Sequence, residues 1–342
     1  TQEIGSVFIQ ADGNVADARS SLDSSLKPIY QDEWILAYER DFGGDWSAGI
    51  RYVNRDLKSL IEDVDVAPAL AVLPGFAGPI GFGQPCGYVM TNPGTNMTTF
   101  CDTDGDGDIE EIFIPKEALG LPKAERTYEA VEVTVEKAFS DSWSLRGSYT
   151  LSWNKGNTEG SVKSDIGQPD ANLTQDFDYA QLMDGGNGYL PNDRRHKLRL
   201  WTSYEVSEKL SLGMNLFAQS GRPINKFGIG HPDGTPPYGD TYYLTTDVGD
   251  PTVEGDETFE LNPRGTSGRT DWITQVDLAA IYSFDWGETA AVQLRAEVFN
   301  LFDSDSERSV YEQIEIRPDQ YKVPTSYQTP RYFRFGAAIH FR

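Results

Sequence analysis

Residues 128–155 read YEAVEVTVEKAFSDSWSLRGSYTLSWNK. In the second half Trp143, Leu145, Gly147, Tyr149, Leu151 and Trp153 fall on one face, and Ser144, Arg146, Ser148, Thr150 and Ser152 on the other. Alternation with period two is a strand signal. Before the turn Ser140-Asp141-Ser142, Val131, Val133 and Val135 alternate with Glu132, Thr134 and Glu136, so the two runs predict one long antiparallel hairpin. Strands of soluble proteins average about 5 to 6 residues, whereas a strand that crosses a bilayer needs about 9 to 11. Both runs have the second length.

Trp153 follows Trp143 by ten residues on the same face. At a rise of about 3.3 Å per residue and a tilt of roughly 45°, they stand about 23 Å apart in height. Membrane barrels carry an apolar band about 25 Å tall between aromatic girdles. Trp46 and Trp286, which flank other turns, are expected to join such a girdle. A long hairpin in a soluble sandwich, with Trp153 in the core, is the alternative.

Working outward, alternating runs predict strands at 34–42, 46–57, 194–206, 210–219, 272–284, 289–302 and 331–342. With the hairpin they make nine. Turns of a few residues alternate with connections of roughly 30 to 70, the pattern of outer-membrane barrels with short periplasmic turns and long extracellular loops. A sandwich has no reason to follow it. The fold class expected is an all-β transmembrane antiparallel barrel, with 58–125 as a large extracellular insertion. Bacterial barrels generally have an even number of strands and must close, because an open edge is unsatisfied in lipid. The expectation is therefore that residues 1–342 form the C-terminal portion of a larger barrel.

Composition narrows the function. The net charge of −24 on 342 residues excludes a nucleic-acid partner, since phosphate binding needs a basic surface. The mean hydropathy of −0.48 suits a soluble protein, yet alternating strands hide their lipid face from an average. No uninterrupted apolar run reaches the length of a membrane helix. The nearest, 66–83, is broken by Pro68, Pro74, Pro79 and four glycines, and reads as a loop. Thr1-Gln2-Glu3-Ile4 shows no basic segment followed by an apolar core, so the expectation is that a leader was removed or that more chain precedes.

Several pieces resemble TonB-dependent outer-membrane receptors, in particular their Oar-like subgroup. They are Leu26-Lys27-Pro28 with Gln31-Asp32-Glu33 and Tyr38-Glu39-Arg40, Pro191-Asn192-Asp193-Arg194-Arg195-His196, Ser220-Gly221-Arg222-Pro223, Val298-Phe299-Asn300-Leu301-Phe302, and Pro330-Arg331-Tyr332-Phe333. The resemblance implies a barrel of about 22 strands around a plug that contacts TonB. It also implies uptake of a bulky ligand driven by proton-motive force. Neither plug nor TonB box is visible here. The last strand, with Phe335 and Phe341, resembles the signal read by outer-membrane assembly machinery, although Arg342 follows the final aromatic.

Within the long insertion, Asp102-Thr103-Asp104-Gly105-Asp106-Gly107-Asp108-Ile109 matches the opening of an EF-hand-type loop. Phe113 stands where the bidentate Glu belongs, so Glu110 and Glu111 are the nearby substitutes, Glu110 being the expected ligand. The loop predicts a Ca2+ site of Asp102, Asp104, Asp106, Asp108 and Glu110; a solvated acidic turn is the alternative. Cys86 and Cys101, the two cysteines, predict one disulfide in an oxidising compartment.

Among strand residues, Glu132, Glu136, Arg146, Arg199, Glu205, Arg295, Glu297 and Arg334 are expected to face a polar lumen, as wall or plug contacts. His196, His231 and His340 are scattered, and no metalloprotease, nucleophile-elbow or Walker motif is present, so no catalytic residue is assigned. Three functions remain open: an energised receptor, a passive porin or structural barrel, and a soluble calcium-dependent adhesin. The last is opposed by the Trp143–Trp153 face.

Overall fold

The computed structural model describes residues 18–341 apart from 75, 77–86, 105, 107, 251–252 and 254. Among these residues nine long strands form one sheet: β1 (Tyr30–Gly43), β2 (Trp46–Ser59), β3 (Arg126–Ser140), β4 (Trp143–Gly156), β5 (His196–Ser207), β6 (Leu210–Gln219), β7 (Ile273–Trp286), β8 (Ala290–Phe299) and β9 (Tyr332–Phe341). They run from 10 to 15 residues, long enough to cross a bilayer. Each pairs antiparallel with its sequence neighbour, so the sheet is a meander, open between β1 and β9. No helix among the described residues is long and apolar enough to cross a membrane.

Turn chemistry sets the register. Asp141 and Ser142 have φ of 49° and 71°. Two consecutive positive φ values match the twist of a tight hairpin. The β1–β2 turn does the same through Gly43, Gly44 and Asp45. Because directly paired residues share a face, the pairing carries one polarity across the sheet. Leu36, Ile50, Val133, Tyr149, Leu200, Leu216, Val276, Leu294 and Ile339 are on one side. Glu132, Thr150, Arg199, Asn215, Asp277, Arg295 and Gln293 are on the other. Trp46 and Trp143 pack edge to face at 5.8 Å on the short-turn end, and Trp286 lies at that end too. Trp153 is at the opposite end of β4.

The two hydrophobic clusters lie in the connections, save for Leu57 near the end of β2. Val66, Leu70, Val89, Met97, Cys101 and Ile114 form one buried cluster. Leu57, Leu60, Val64, Leu121, Phe177 and Met183 form a second, which joins the β2–β3 connection to the β4–β5 connection. The insertion expected to be a loop is thus a folded unit with strand pairs Glu62–Asp65 with Tyr88–Thr91 and Met97–Cys101 with Glu110–Ile114. Part of 66–83 is helical, Ala67–Val72, contrary to the loop reading. Pro68 falls in the first turn, where a missing N–H breaks no helical bond, and the Asp65 carboxylate accepts the Ala67 N–H at 2.9 Å.

Smaller departures occur at strand ends. β8 stops at Phe299 because Asn300 takes φ of 51°. Its buried side chain then donates to the Ser304 and Thr329 carbonyls, tying both ends of the β8–β9 connection together.

Candidate functional site: a charged wall beneath a folded cap

All eight charged residues expected on a lumen face share one side of the sheet. Most pair with each other. Glu132 accepts from Arg51 across β2–β3, and Arg146 donates to Glu136 at 2.9 Å across β3–β4. Glu297 holds Arg295 at 3.3 Å and also bonds Arg334. Arg199 lies 5.7 Å over the Phe217 ring. Alternating charge at strand period places opposite signs directly opposite one another, which lowers repulsion but leaves the face wet and polar. A hollow of about 730 Å³ on this wall is lined by Arg146, Trp201, Asn215, Asp277, Glu297 and Phe299 among others. Ion-paired and aromatic groups in that space suit a polar surface packed against the wall.

Above the wall the long connections are stitched together by buried polar contacts that sequence reading did not find. Lys163 and Asp176, from the β4–β5 connection, form an ion pair at 2.5 Å, and Arg264 of the β6–β7 connection meets the other oxygen of Asp176 at 3.4 Å. The Lys163 and Arg264 side chains are each 1% exposed. Burial opposes charge on Lys163, but Asp176, Tyr242 and Asp165 outweigh it and raise its pKa. Asp176 moves the other way, burial being overcome by Lys163 and Arg264. Arg222 pairs with Glu312 of the β8–β9 connection at 2.5 Å, and the Asn225 N–H donates to the same carboxylate at 2.6 Å. Gln175 and Gln313 both donate to Asp240 at 2.9 Å. Thr174 donates twice to Glu62, at 2.7 and 2.6 Å, which brings in the β2–β3 connection. Buried polar groups must be paired, so such a network commits four connections to one arrangement.

One corner of the cap is strained electrostatically. Burial, with the nearby Asp63, Glu62 and Asp65, pushes the Asp178 carboxyl up to about 9. Burial also pushes Glu62 up to about 8 and Asp63 up to about 6. One oxygen each of Glu62, Asp63 and Asp178 is buried with no hydrogen-bond partner.

The acidic loop lies on the same insertion. Asp102, Asp104 and Asp106 present carboxylate oxygens within 4.8 Å of one another. Asp104 accepts the Asp106 N–H and Asp106 accepts the Asp108 N–H, at 3.2 and 2.8 Å. Glu110 does something else: its carboxylate takes both the N–H and the hydroxyl of Thr103 at 2.9 Å, closing the base of the loop. The converging carboxylates are those of Asp102, Asp104 and Asp106, and Glu110 is committed to Thr103. Cys101 is buried and no free cysteine occurs among the described residues; Cys86 lies outside them.

Phe335 and Phe341 of β9 are exposed on the apolar face. His196 bonds the Tyr149 hydroxyl at 2.7 Å and stacks on Trp272. Lys163, Asp176, Arg264 and Glu312 are the residues sequence reading missed. Each sits in a polar stretch where a buried charge and a solvated one look alike.

Comparison with known proteins agrees with this geometry. Residues 7–211 match the family described as outer membrane beta barrel domain. The chain is 26% identical, over 363 aligned positions, to the TonB-dependent transporter Oar of Myxococcus xanthus; the match covers 94% of this chain and 29% of that protein. This bears out the resemblance read from the motifs. The chain thus spans about a third or less of the relatives it matches. Among solved structures, the siderophore receptor PiuA of Acinetobacter baumannii aligns with a TM-score of 0.48 and 10% identity, covering 97% of this chain and 32% of that one. The outer membrane transporter YddB of Escherichia coli aligns with a TM-score of 0.48 and 10% identity, covering 93% and 33%. The strand lengths, the apolar face and the family match together place the chain: it belongs to the outer membrane β-barrel domain family and lies in the bacterial outer membrane.

Proposed function

We propose that this chain is the C-terminal wall and cap of a TonB-dependent outer-membrane transporter that takes up a bulky ligand. The observation that carries this reading is the pairing of a continuous charged wall with a folded cap built from all the long connections. The relation to a TonB-dependent transporter along nearly the whole chain supports it. In this reading the polar face surrounds a plug supplied by residues outside 1–342, and the wall charges Glu132, Glu136, Arg146, Arg199, Arg295 and Glu297 contact it. Other parts of the protein complete a barrel of about 22 strands. The short turns are periplasmic and the cap extracellular. The partners are the bilayer, TonB through the plug, assembly machinery that reads Phe335 and Phe341, and an extracellular ligand or protein contacting 58–125.

The decisive experiment is planar-bilayer recording of the full-length protein. A plugged receptor gives no steady conductance until the plug is unfolded or deleted; steady conductance from the intact protein would replace this reading with a passive porin.

Within the cap we propose that Cys86 and Cys101 are disulfide-bonded and that Asp102, Asp104 and Asp106 hold Ca2+. The residues fit a hard cation, since they supply oxygens only, although further oxygens are needed to reach 6 to 8. Calcium binding would tie down the turn. Calorimetric titration of the full-length protein with Ca2+ tests this: heat lost in Asp104→Asn supports the site, and equal heat in the variant rejects it.

A further inference from the structure

The acidic corner of the cap gathers oxygens that no donor reaches. Glu62 and Asp63 come from the β2–β3 connection and Asp178 from the β4–β5 connection. Glu62 is 1% exposed and Asp178 5%. One oxygen of each is satisfied: Glu62 Oε1 accepts the N–H and hydroxyl of Thr174, and Asp178 Oδ2 accepts the Tyr238 hydroxyl at 2.9 Å. The second oxygens, Glu62 Oε2 and Asp178 Oδ1, are buried with no partner, and so are Asp63 Oδ1 and Asn172 Oδ1. Asn172 belongs to the same corner, since its backbone carbonyl accepts the Asp63 N–H at 3.3 Å. Asp65 next to them differs, because its two oxygens take the Ala67 N–H at 2.9 Å and the Tyr179 hydroxyl at 2.6 Å.

All four unpartnered atoms are acceptors, drawn from two connections. Asp176, which is buried as deeply, is matched by the cations Lys163 and Arg264. The corner has no such match: the charged groups that act most strongly on Asp178 are the carboxylates of Asp63, Glu62, Asp65 and Asp176. Buried acceptors crowded by like charge are satisfied by a cation. The donor set narrows its kind. Oxygen ligands alone select a hard ion, and several carboxylates favour a divalent one. Among the described residues only Asp102, Asp104 and Asp106 bring three carboxylate oxygens within 4.8 Å, so the corner is too wide to grip a bare ion on all sides. That spacing suits Mg2+, which gives up its waters reluctantly and is held through one or two carboxylates with water filling the remaining positions.

We infer that Glu62, Asp63 and Asp178, with the side-chain carbonyl of Asn172, form a binding site for a partly hydrated Mg2+ ion that ties the β2–β3 connection to the β4–β5 connection. Tyr238, which bonds Asp178, is 41% exposed, so the corner borders the water from which an ion enters. Without the ion the carboxyls hold protons instead, and ion and proton compete for the same oxygens. The site is separate from the Asp102 loop and rests on the folded cap, not on transport.

The test is amide hydrogen exchange of the full-length protein, stripped with a chelator and measured at one fixed pH with and without Mg2+. In wild type, Mg2+ at roughly ten times its Kd is expected to slow exchange of 60–66 and 172–184 about tenfold and to leave the strands unchanged. Asp178→Asn and Glu62→Gln keep the acceptors for Tyr238 and Thr174, and are expected to lose the response to Mg2+ whatever their own basal rate. Asp104→Asn is expected to keep it. Heat-modifiable gel migration checks that each variant is folded. No slowing in wild type, or equal slowing in Asp178→Asn and Glu62→Gln, would overturn the site. So would equal slowing by Na+ at matched ionic strength, which would mark screening of like charges, or loss of the response in Asp104→Asn, which would move the ion to the acidic loop. None of these outcomes alters the conductance expected of a plugged receptor.

Discussion

The sheet and the cap bury opposite things. Across the sheet, Leu36, Tyr38, Phe335 and Phe341 are exposed, and the charges of the other face are arranged in pairs. In the cap, Val64, Leu70 and Ile114 are buried beside ion pairs with almost no exposure. The difference follows from the solvent each region meets. The sheet's apolar face is stabilised by lipid and needs no protein partner, while its backbone bonds are satisfied strand to strand. The cap stands in water and must build an interior of its own, and its buried polar groups must find one another.

That comparison can be broken at several points. The largest effect is expected from Lys163→Met, which leaves Asp176 with Arg264 alone in a buried site and should destabilise the cap by about 3 to 5 kcal/mol. Proteolysis of 157–195 under native conditions reads this, with the heat-modifiable migration of the barrel unchanged. Leu70→Ala should cost about 2 to 5 kcal/mol through transfer and cavity terms. Loss of amide protection confined to 60–125 is the expected signature, and loss spread over the strands would show that cap and wall fold as one unit. Val133→Arg on the lipid face should cost about 2 to 4 kcal/mol, whereas Thr150→Arg, on the polar face opposite Glu132, should cost close to nothing. Denaturant titration in lipid vesicles measures both, and equal costs would refute the assignment of faces.

A pH dependence of the cap is also expected, spread gradually over several pH units. Asp178 and Glu62 have folded pKa values near 9 and 8, above their ordinary values of 3.8 and 4.5. A raised folded pKa gives stability that is fully present below the ordinary value and is lost as pH rises through the folded one. The cap should therefore loosen between pH 5 and pH 9, by at most about 1.4 kcal/mol per pH unit for each group. Hydrogen exchange of 60–66 and 172–184 at several pH values measures it, and Asp178→Asn should flatten the slope. A slope of the opposite sign would mean that these carboxylates are charged when folded.

The strands were legible because their side chains alternate between two solvents with nothing between. Trp143 to Trp153 displays the period directly, and the expected lumen charges all share the polar face. Ends were less legible. β1 begins at Tyr30, ahead of the first apolar residue of the pattern, because its pairing with β2 continues into Gln31-Asp32-Glu33. For the acidic loop, sequence spacing suggested five ligands, but a side chain's direction depends on the turn, and Glu110 is drawn to Thr103 instead.

The residues by themselves determined the sheet, its two faces and its alternation of short turns and long connections, since each depends on neighbours two positions away or on a local turn. Only the tertiary structure decided that the connections are folded. Lys163, Asp176, Arg264 and Glu312 come from three separate connections. Whether such a charge is solvated or buried depends on a partner tens of residues distant, for which the local sequence carries no period.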